Sequence, residues 1–242
     1  MKEAIRARVS RRSYTREPLD EETLIALYDA VEECNRLSGL NIHLIADDPA
    51  AFSGLRARNF SGVQNYFEMI GAADDPDLDE KTGYFGESLV LLATRLGLGT
   101  CWVTDSYDPL RVRVQPQEGE VLRCVIVVGH AREKITMRER SAARSIRHRR
   151  KEIREMLVSE EPVENWVIDG MRCVQRAPSS RNRQPVLFYY TDGAAAARVK
   201  GEGACDLIDL GIAKLHFGIG VGRGRWDFGN GGIFEYESGE DF

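Results

Sequence analysis

Cysteine, histidine and long apolar runs are all scarce in this chain of 242 residues, and each scarcity excludes something. The five cysteines (Cys34, Cys101, Cys124, Cys173, Cys205) are odd in number and widely spaced, with no Cys-x-x-Cys pair. That argues against a disulfide framework or a zinc site, and the expected location is the reducing cytoplasm. The four histidines (His43, His130, His148, His216) stand apart in sequence, so no metal site of the His-rich hydrolase kind is expected. No apolar run approaches the roughly 18 residues of a membrane span, so no membrane partner is expected. The opening MKEAIRARVSRRS carries charge with no apolar core behind it and does not read as a signal peptide. An excess of positive charge is also missing. Lys+Arg 33 against Asp+Glu 38 leaves −5, which is not the bulk charge of a polyanion binder.

What is present is the composition of a folded protein, 43% hydrophobic and 29% charged. The length suits one large domain or two small ones. Residues 20–34 read as a helix, with Asp20 as N-cap and Leu24, Leu27, Tyr28 and Val31 on one apolar face. Strands are expected at Asn41–Ala46, within 61–71, at Thr100–Val103 and at Val121–His130. The acidic run 74–80 reads as a solvated loop. Residues 84–96 are apolar around most of the circumference and read as a core helix that stops at Gly97. Between Arg132 and Lys151, nine basic residues face only Glu133 and Glu139, which reads as a solvated linker helix. A helix at 163–176, a strand at Val186–Thr191, a small-residue stretch (GAAAA), a helix near 204–217 and a strand near Gly232–Glu237 complete the order.

A faint repeat joins the two ends of the chain. The core helix ends in Leu96-Gly97-Leu98-Gly99 with Trp102 just after, and the late helix ends in Phe217-Gly218-Ile219-Gly220 with Trp226 just after. Two half-size units of one architecture would account for it.

Two segments carry candidate binding chemistry. In Arg8-Val9-Ser10-Arg11-Arg12-Ser13-Tyr14, alternate residues Arg8, Ser10 and Arg12 share a side if the segment is extended. Two guanidiniums and a hydroxyl suit a phosphate; a solvated basic segment is the plainer alternative. In Ala177-Pro178-Ser179-Ser180-Arg181-Asn182-Arg183-Gln184-Pro185, two prolines bracket a run of hydrogen-bonding side chains. Such a loop suits the edge of a planar polar heterocycle; an ordinary helix-to-strand link is the alternative. The Gly218–Gly224 run follows a helix where a dinucleotide loop must follow a strand, so it reads as a helix stop and turn. The basic stretch lacks interleaved aromatics, so no nucleic-acid partner is expected. Cys101 and Cys124 sit in apolar strands and read as buried and inert.

These segments together resemble the FMN-dependent nitroreductases. RVSRRSYTREPLDEETL is similar to that family's opening, APSSRNRQP to its flavin-edge loop, GYFGESLVLLATRLGLGTCWV to its central helix and next strand, and VLRCVIVVGHAREK to its late strand. In ordinary members the APS loop follows the Arg-Ser-Arg segment by one helix. Here that place holds Cys34–Asn41, and the loop appears far downstream. The resemblance is thus to the subgroup of fused halves, an intramolecular pseudo-dimer of α+β fold with one flavin site per chain between the halves. The implied division is 1–135 as the first half, 136–162 as a basic linker and 163–242 as a shorter second half.

Several roles follow from the resemblance. Arg8 and Ser10 match phosphate-contacting positions, Arg12 matches the basic residue near flavin N1 and the C2 carbonyl, and Arg149 matches a second phosphate-binding arginine. Ser179, Ser180, Asn182 and Gln184 match the loop that meets the flavin. Val103, Asp105 and Ser106 stand where the family has small residues near N5. The implied activity is hydride transfer from NAD(P)H through FMN to a small conjugated acceptor such as a nitroaromatic or quinone. The partners expected are that acceptor alone or a further copy of the chain. A flavin- or nucleotide-binding protein without turnover is the alternative.

Overall fold

The computed structural model describes residues 1–144 and 150–237. In chain order the elements are α1 (Lys2–Ala7), α2 (Glu21–Ser38), β1 (Asn41–Ile45), β2 (Asn65–Ala72), α3 (Leu78–Arg95), β3 (Gly99–Val103) and β4 (Glu120–Gly129). Then come α4 (Met137–Arg144), β5 (Leu157–Val158), α5 (Asn165–Val174), β6 (Leu187–Thr191), β7 (Ala194–Arg198), α6 (Asp206–Val221), β8 (Arg225–Trp226) and β9 (Ile233–Glu235). Among the described residues no helix is long and apolar enough to cross a membrane.

The chain forms two compact units. The first comprises Ala7–Leu78 and Ser88–Ile146; the second comprises Met1–Arg6, Asp79–Glu87 and Arg147–Phe242. The stretch expected as a basic linker, 136–162, supplies α4 and β5.

In the first unit an antiparallel sheet runs β1-β2-β4-β3. Asp20 caps α2 as its sequence implies, accepting from the Thr23 N–H at 2.7 Å, and Gly39 ends the helix in the left-handed region at φ 74°. The core is built on the β-branched run of β4, with Val125 and Val127 against Tyr14, Tyr66, Cys101 and Val103. Cys101 and Cys124 are buried there.

In the second unit the sheet runs β5-β6-β7-β9-β8. Apart from the short parallel strand β5, its order 6-7-9-8 repeats the 1-2-4-3 of the first unit, and its pairs are again antiparallel. The helices repeat as well: helix, two strands, helix, two strands (α2-β1-β2-α3-β3-β4 and α5-β6-β7-α6-β8-β9). The tryptophans of the sequence echo thus fall on equivalent strands, Trp102 in β3 and Trp226 in β8, whereas Gly218 and Gly220 lie within α6.

Three local expectations are corrected, and one stretch left without an element gains one. The acidic run is only partly a loop, because α3 begins at Leu78 and its Glu80 is buried. The Lys214 ammonium, itself fully buried, donates to Glu80 Oε1 at 2.5 Å and to the carbonyls of Asp227 and Gly229, both at 2.9 Å. The Gly218–Gly224 run is not a stop from its first residue, since α6 runs on to Val221 and ends at Gly222, with φ 89°. Gly220 instead lets two helices close up, as a Cβ there would lie 2.6 Å from the Asp169 carbonyl oxygen of α5. The alanine stretch is a strand, β7, with Ala195 and Ala197 buried. The segment 132–151 is not simply a solvated helix, because Glu139 of α4 is buried.

Candidate functional site

The Arg-Ser-Arg segment belongs to the first unit and is extended. Ser10 bridges Thr100 of β3, Ser13 bridges Ser61, and Tyr14 bridges Ala131. Tyr14 is buried, and its hydroxyl donates to the Arg11 carbonyl at 2.7 Å, closing the segment on itself. Gly62 lies against it so closely that a Cβ would sit 2.2 Å from the Tyr14 carbonyl oxygen, and its φ of 71° also suits glycine.

Glu139 fixes the segment from α4. Its Oε1 accepts the backbone N–H groups of Arg12 at 2.8 Å and Ser13 at 3.2 Å, and Nε of Arg11 at 3.3 Å. Its Oε2 accepts the Thr136 N–H at 3.0 Å, while Thr136 Oγ1 accepts the Glu139 N–H at 3.3 Å, the reciprocal bonds of a capping box. Burial raises the Glu139 carboxyl, but these N–H donors and the Arg11 guanidinium outweigh it and hold the group below its ordinary range. The Thr136-x-x-Glu139 spacing was the signal for this residue, and the basic residues around it drew attention away.

Alternate residues of the segment divide their work. The Arg11 guanidinium is spent on Glu139 and on the Arg132 carbonyl. Arg8 donates to Ser10 Oγ at 3.5 Å, and both are half-buried. Arg12 is half-buried as well, its backbone fixed by Glu139 and by the Ser61 N–H, yet no hydrogen bond or ion pair among the described residues engages its guanidinium.

The residues after β3 are less uniform than the resemblance implies. Val103 is turned into the core beside Tyr107 and Val125. Asp105 is exposed, and Ser106 donates to it at 2.9 Å. Arg149 lies outside the described residues.

The 177–185 loop belongs to the second unit and links α5 to β6. It contains no glycine, yet Arg181, Asn182 and Gln184 all have φ near 50°. Three such residues within four positions are strained, and strain of this kind persists only where the surroundings over-determine it. The ties are visible. Ser179 Oγ accepts the Gln184 N–H at 2.9 Å. Gln184 is buried; its Oε1 accepts the Lys151 N–H at 2.9 Å and its carbonyl accepts Lys151 Nζ at 2.7 Å. Arg183 pairs with Asp206 at 2.6 Å. The Ser180 N–H is shared by both oxygens of Asp209, at 3.0 and 3.1 Å. Burial pushes the Asp209 carboxyl up to about 7, against the pull of the Ser180 N–H and Arg183. Sequence reasoning missed Asp209, which reads as one polar residue on an apolar helix.

The structure therefore gathers Arg8, Ser10 and Arg12 in one unit with Asp105 and Ser106, and Ser179, Ser180, Asn182 and Gln184 in the other.

No curated protein matches this chain. A nitroreductase from Thermotoga maritima, described as putative, is similar in structure, with a TM-score of 0.62 at 20% identity over 96% of this chain and 91% of that one. An FMN-dependent nitroreductase from Clostridium difficile gives 0.46 at 16% identity over 56% of this chain and 90% of that one. A nitroreductase from Desulfovibrio desulfuricans, described as putative and in complex with FMN, gives 0.43 at 17% over 57% and 92%. The Thermotoga likeness confirms the α+β nitroreductase fold. The profile of the family described as "Putative TM nitroreductase" matches residues 1–221, nearly the whole of both units, and the chain belongs to that family.

Proposed function

We propose that this chain is an FMN-dependent oxidoreductase that takes hydride from NAD(P)H and delivers it to a conjugated acceptor such as a nitroaromatic or a quinone. The observation that carries the reading is Arg12, a half-buried cation on a clamped backbone with no counter-ion among the described residues. A positioned guanidinium of this kind fits an anionic ligand. Arg8 and Ser10, bonded to each other two positions away, complete a donor set suited to a phosphate. The 177–185 loop meets the second requirement, a rigid run of amide and hydroxyl groups. Its backbone is fixed by ties that use the Ser180 N–H and the Ser179 hydroxyl and do not use the Ser180 hydroxyl.

Bound flavin supplies the hydride-carrying ring, so no side-chain nucleophile is needed. Within this reading Arg8 and Ser10 bind the phosphate, with Arg149 as a second cation. Arg12 favours the anionic reduced ring at its N1 end. Ser179, Ser180, Asn182 and Gln184 orient the ring edge, and Asp105 and Ser106 border the approach to N5. The partner is a small-molecule acceptor.

The test is the visible spectrum of the purified protein, before and after anaerobic NADH and NADPH. A flavin spectrum bleached by either nucleotide, and restored by a quinone or nitroaromatic, is expected. A bound flavin that neither nucleotide bleaches replaces the enzyme reading with a flavin-binding protein without turnover, and a protein that binds no flavin ends both.

A further inference from the structure

We propose that Asp209 of α6 is the positioning residue of the 177–185 loop, and that its charge state couples the loop's grip on flavin to pH. The proposal rests on the reading above for its ligand, but its geometry is that of the loop alone. Asp209 is nearly buried, and both its oxygens converge on one donor, the Ser180 N–H. That N–H opens the strained turn, with Arg181 at φ 51° and Asn182 at φ 52° directly after it. Holding Ser180 therefore fixes where the turn begins, and the Lys151–Gln184 pair fixes where it ends.

The surroundings make Asp209 the responsive end of the clamp. The charged groups around it are Arg183 of the loop and Asp206 of its own helix, and those two pair with each other at 2.6 Å. Lys151 sits on the Gln184 carbonyl. Apart from Ser179 and Gln184 of the loop itself, the wall is mostly apolar: Val174 and Ala177 at the end of α5, Val186 before β6, and Ala213 one turn along α6. The cleft they line has room for about 20 Å³, one water-sized group. A buried carboxylate with one shared donor is poorly solvated, which is why burial pushes it up to about 7. The ionised form accepts from Ser180 by a charge-assisted bond; the protonated form keeps only a neutral acceptor, about half as strong. The loop is thus held more firmly above neutrality than below it.

The test uses the full chain and riboflavin, which lacks the phosphate whose own titration would interfere. Wild type is expected to lose about fivefold in riboflavin affinity from about pH 8 to about pH 6. Asp209→Asn keeps an acceptor oxygen but cannot ionise, and is expected to bind with little change over that range. Asp209→Ala, with no acceptor, is expected to bind weakly at both ends. An Asp209→Asn protein that retains the wild-type pH profile overturns the proposal. Amide exchange of the loop in flavin-free protein, corrected for intrinsic rates, separates this from the flavin reading. Exchange should rise at the lower pH in wild type and stay level in Asp209→Asn. Should no flavin bind at all, the reading above fails and the exchange still decides Asp209: identical behaviour of the two proteins overturns it.

Discussion

Replacing Lys214 by Met tests a fully buried charge of the second unit. Met keeps most of the apolar stem of the lysine and removes the ammonium. Lys214 is 0% exposed and Glu80, which it contacts, is 2% exposed. The substitution takes the ammonium from Glu80, which keeps the Gly229 N–H at 2.9 Å among its contacts, and strips the Asp227 and Gly229 carbonyls of their ammonium donor. Breaking a buried pair from one side costs about 3–5 kcal/mol, mostly for the charge left behind. In a protein of this size, about 2–4 °C of midpoint follow each kcal/mol, so the melting temperature should fall by roughly 6–20 °C. Thermal unfolding followed by circular dichroism measures it. The double variant Lys214→Met with Glu80→Leu removes both charges and should recover at least half of the loss, since apolar replacement of a whole buried pair is often neutral. A single variant within about 1 kcal/mol of wild type, or a double variant no better than the single, would refute the argument that Glu80 is an inward, desolvated charge.

Two further outcomes are expected. Arg8→Ala should weaken FMN by about 10- to 150-fold and riboflavin far less, because a charge-assisted contact to the phosphate is worth about 1.5–3 kcal/mol; equal loss for both ligands in a fluorescence titration would place Arg8 elsewhere. The Glu139 carboxyl lies below its ordinary range in the folded chain, so its contribution is present above about pH 4.5 and is lost as pH falls through the folded value. Glu139→Gln should therefore flatten the acid side of a stability-against-pH curve, and an unchanged acid limb would mean that Glu139 is not a clamp of the Arg8–Tyr14 segment.

The elements that were legible in the sequence carry their signals locally. Asp20 before two glutamates marks the start of α2, Gly97 ends α3 in the left-handed region, and the Val-rich run of β4 reads as the buried strand it is. The residues that escaped depend on partners distant in sequence. Glu80 looks like one more member of a solvated acidic run until Lys214, far along the chain, is placed on it. Gly220 looks like a helix breaker, and only the approach of Asp169 explains why α6 tolerates it. Of the candidate site, the two polar segments were legible by composition, and their supports were not. Asp209 lies on a mostly apolar helix with no local sign setting it apart from Asp206, and Glu139 lies in a basic stretch whose Thr136-x-x-Glu139 spacing was the only local sign of it. Val103 shows the converse, as its position in the chain suggested a site residue and its side chain is packed inward at the end of β3.

The repeat of topology bears on how many flavins one chain holds. The links between each unit's first helix and first strand are equivalent in order but opposite in form. In the first unit, α2 passes to β1 through Gly39 and Leu40 alone. Asn35 closes that link, donating Nδ2–H to the Ile42 carbonyl at 2.9 Å and accepting the Ile42 N–H at 2.7 Å. No loop of the 177–185 kind can be placed there. In the second unit, residues 175–186 separate α5 from β6 and carry that loop. The segments leading into these helices differ in the converse sense: Arg8–Tyr14, at seven to thirteen positions before α2, carries three arginines and two serines, whereas Glu152–Val158, at the same distance before α5, carries Arg154 alone and no serine. Each unit thus retains one of two pieces, and a complete set occurs once per chain. The expected stoichiometry is one FMN per chain, read from flavin absorbance against protein concentration after saturation and gel filtration. Two tight flavins per chain would mean that each unit binds flavin with residues other than these, and the division of labour between the two polar segments would have to be given up.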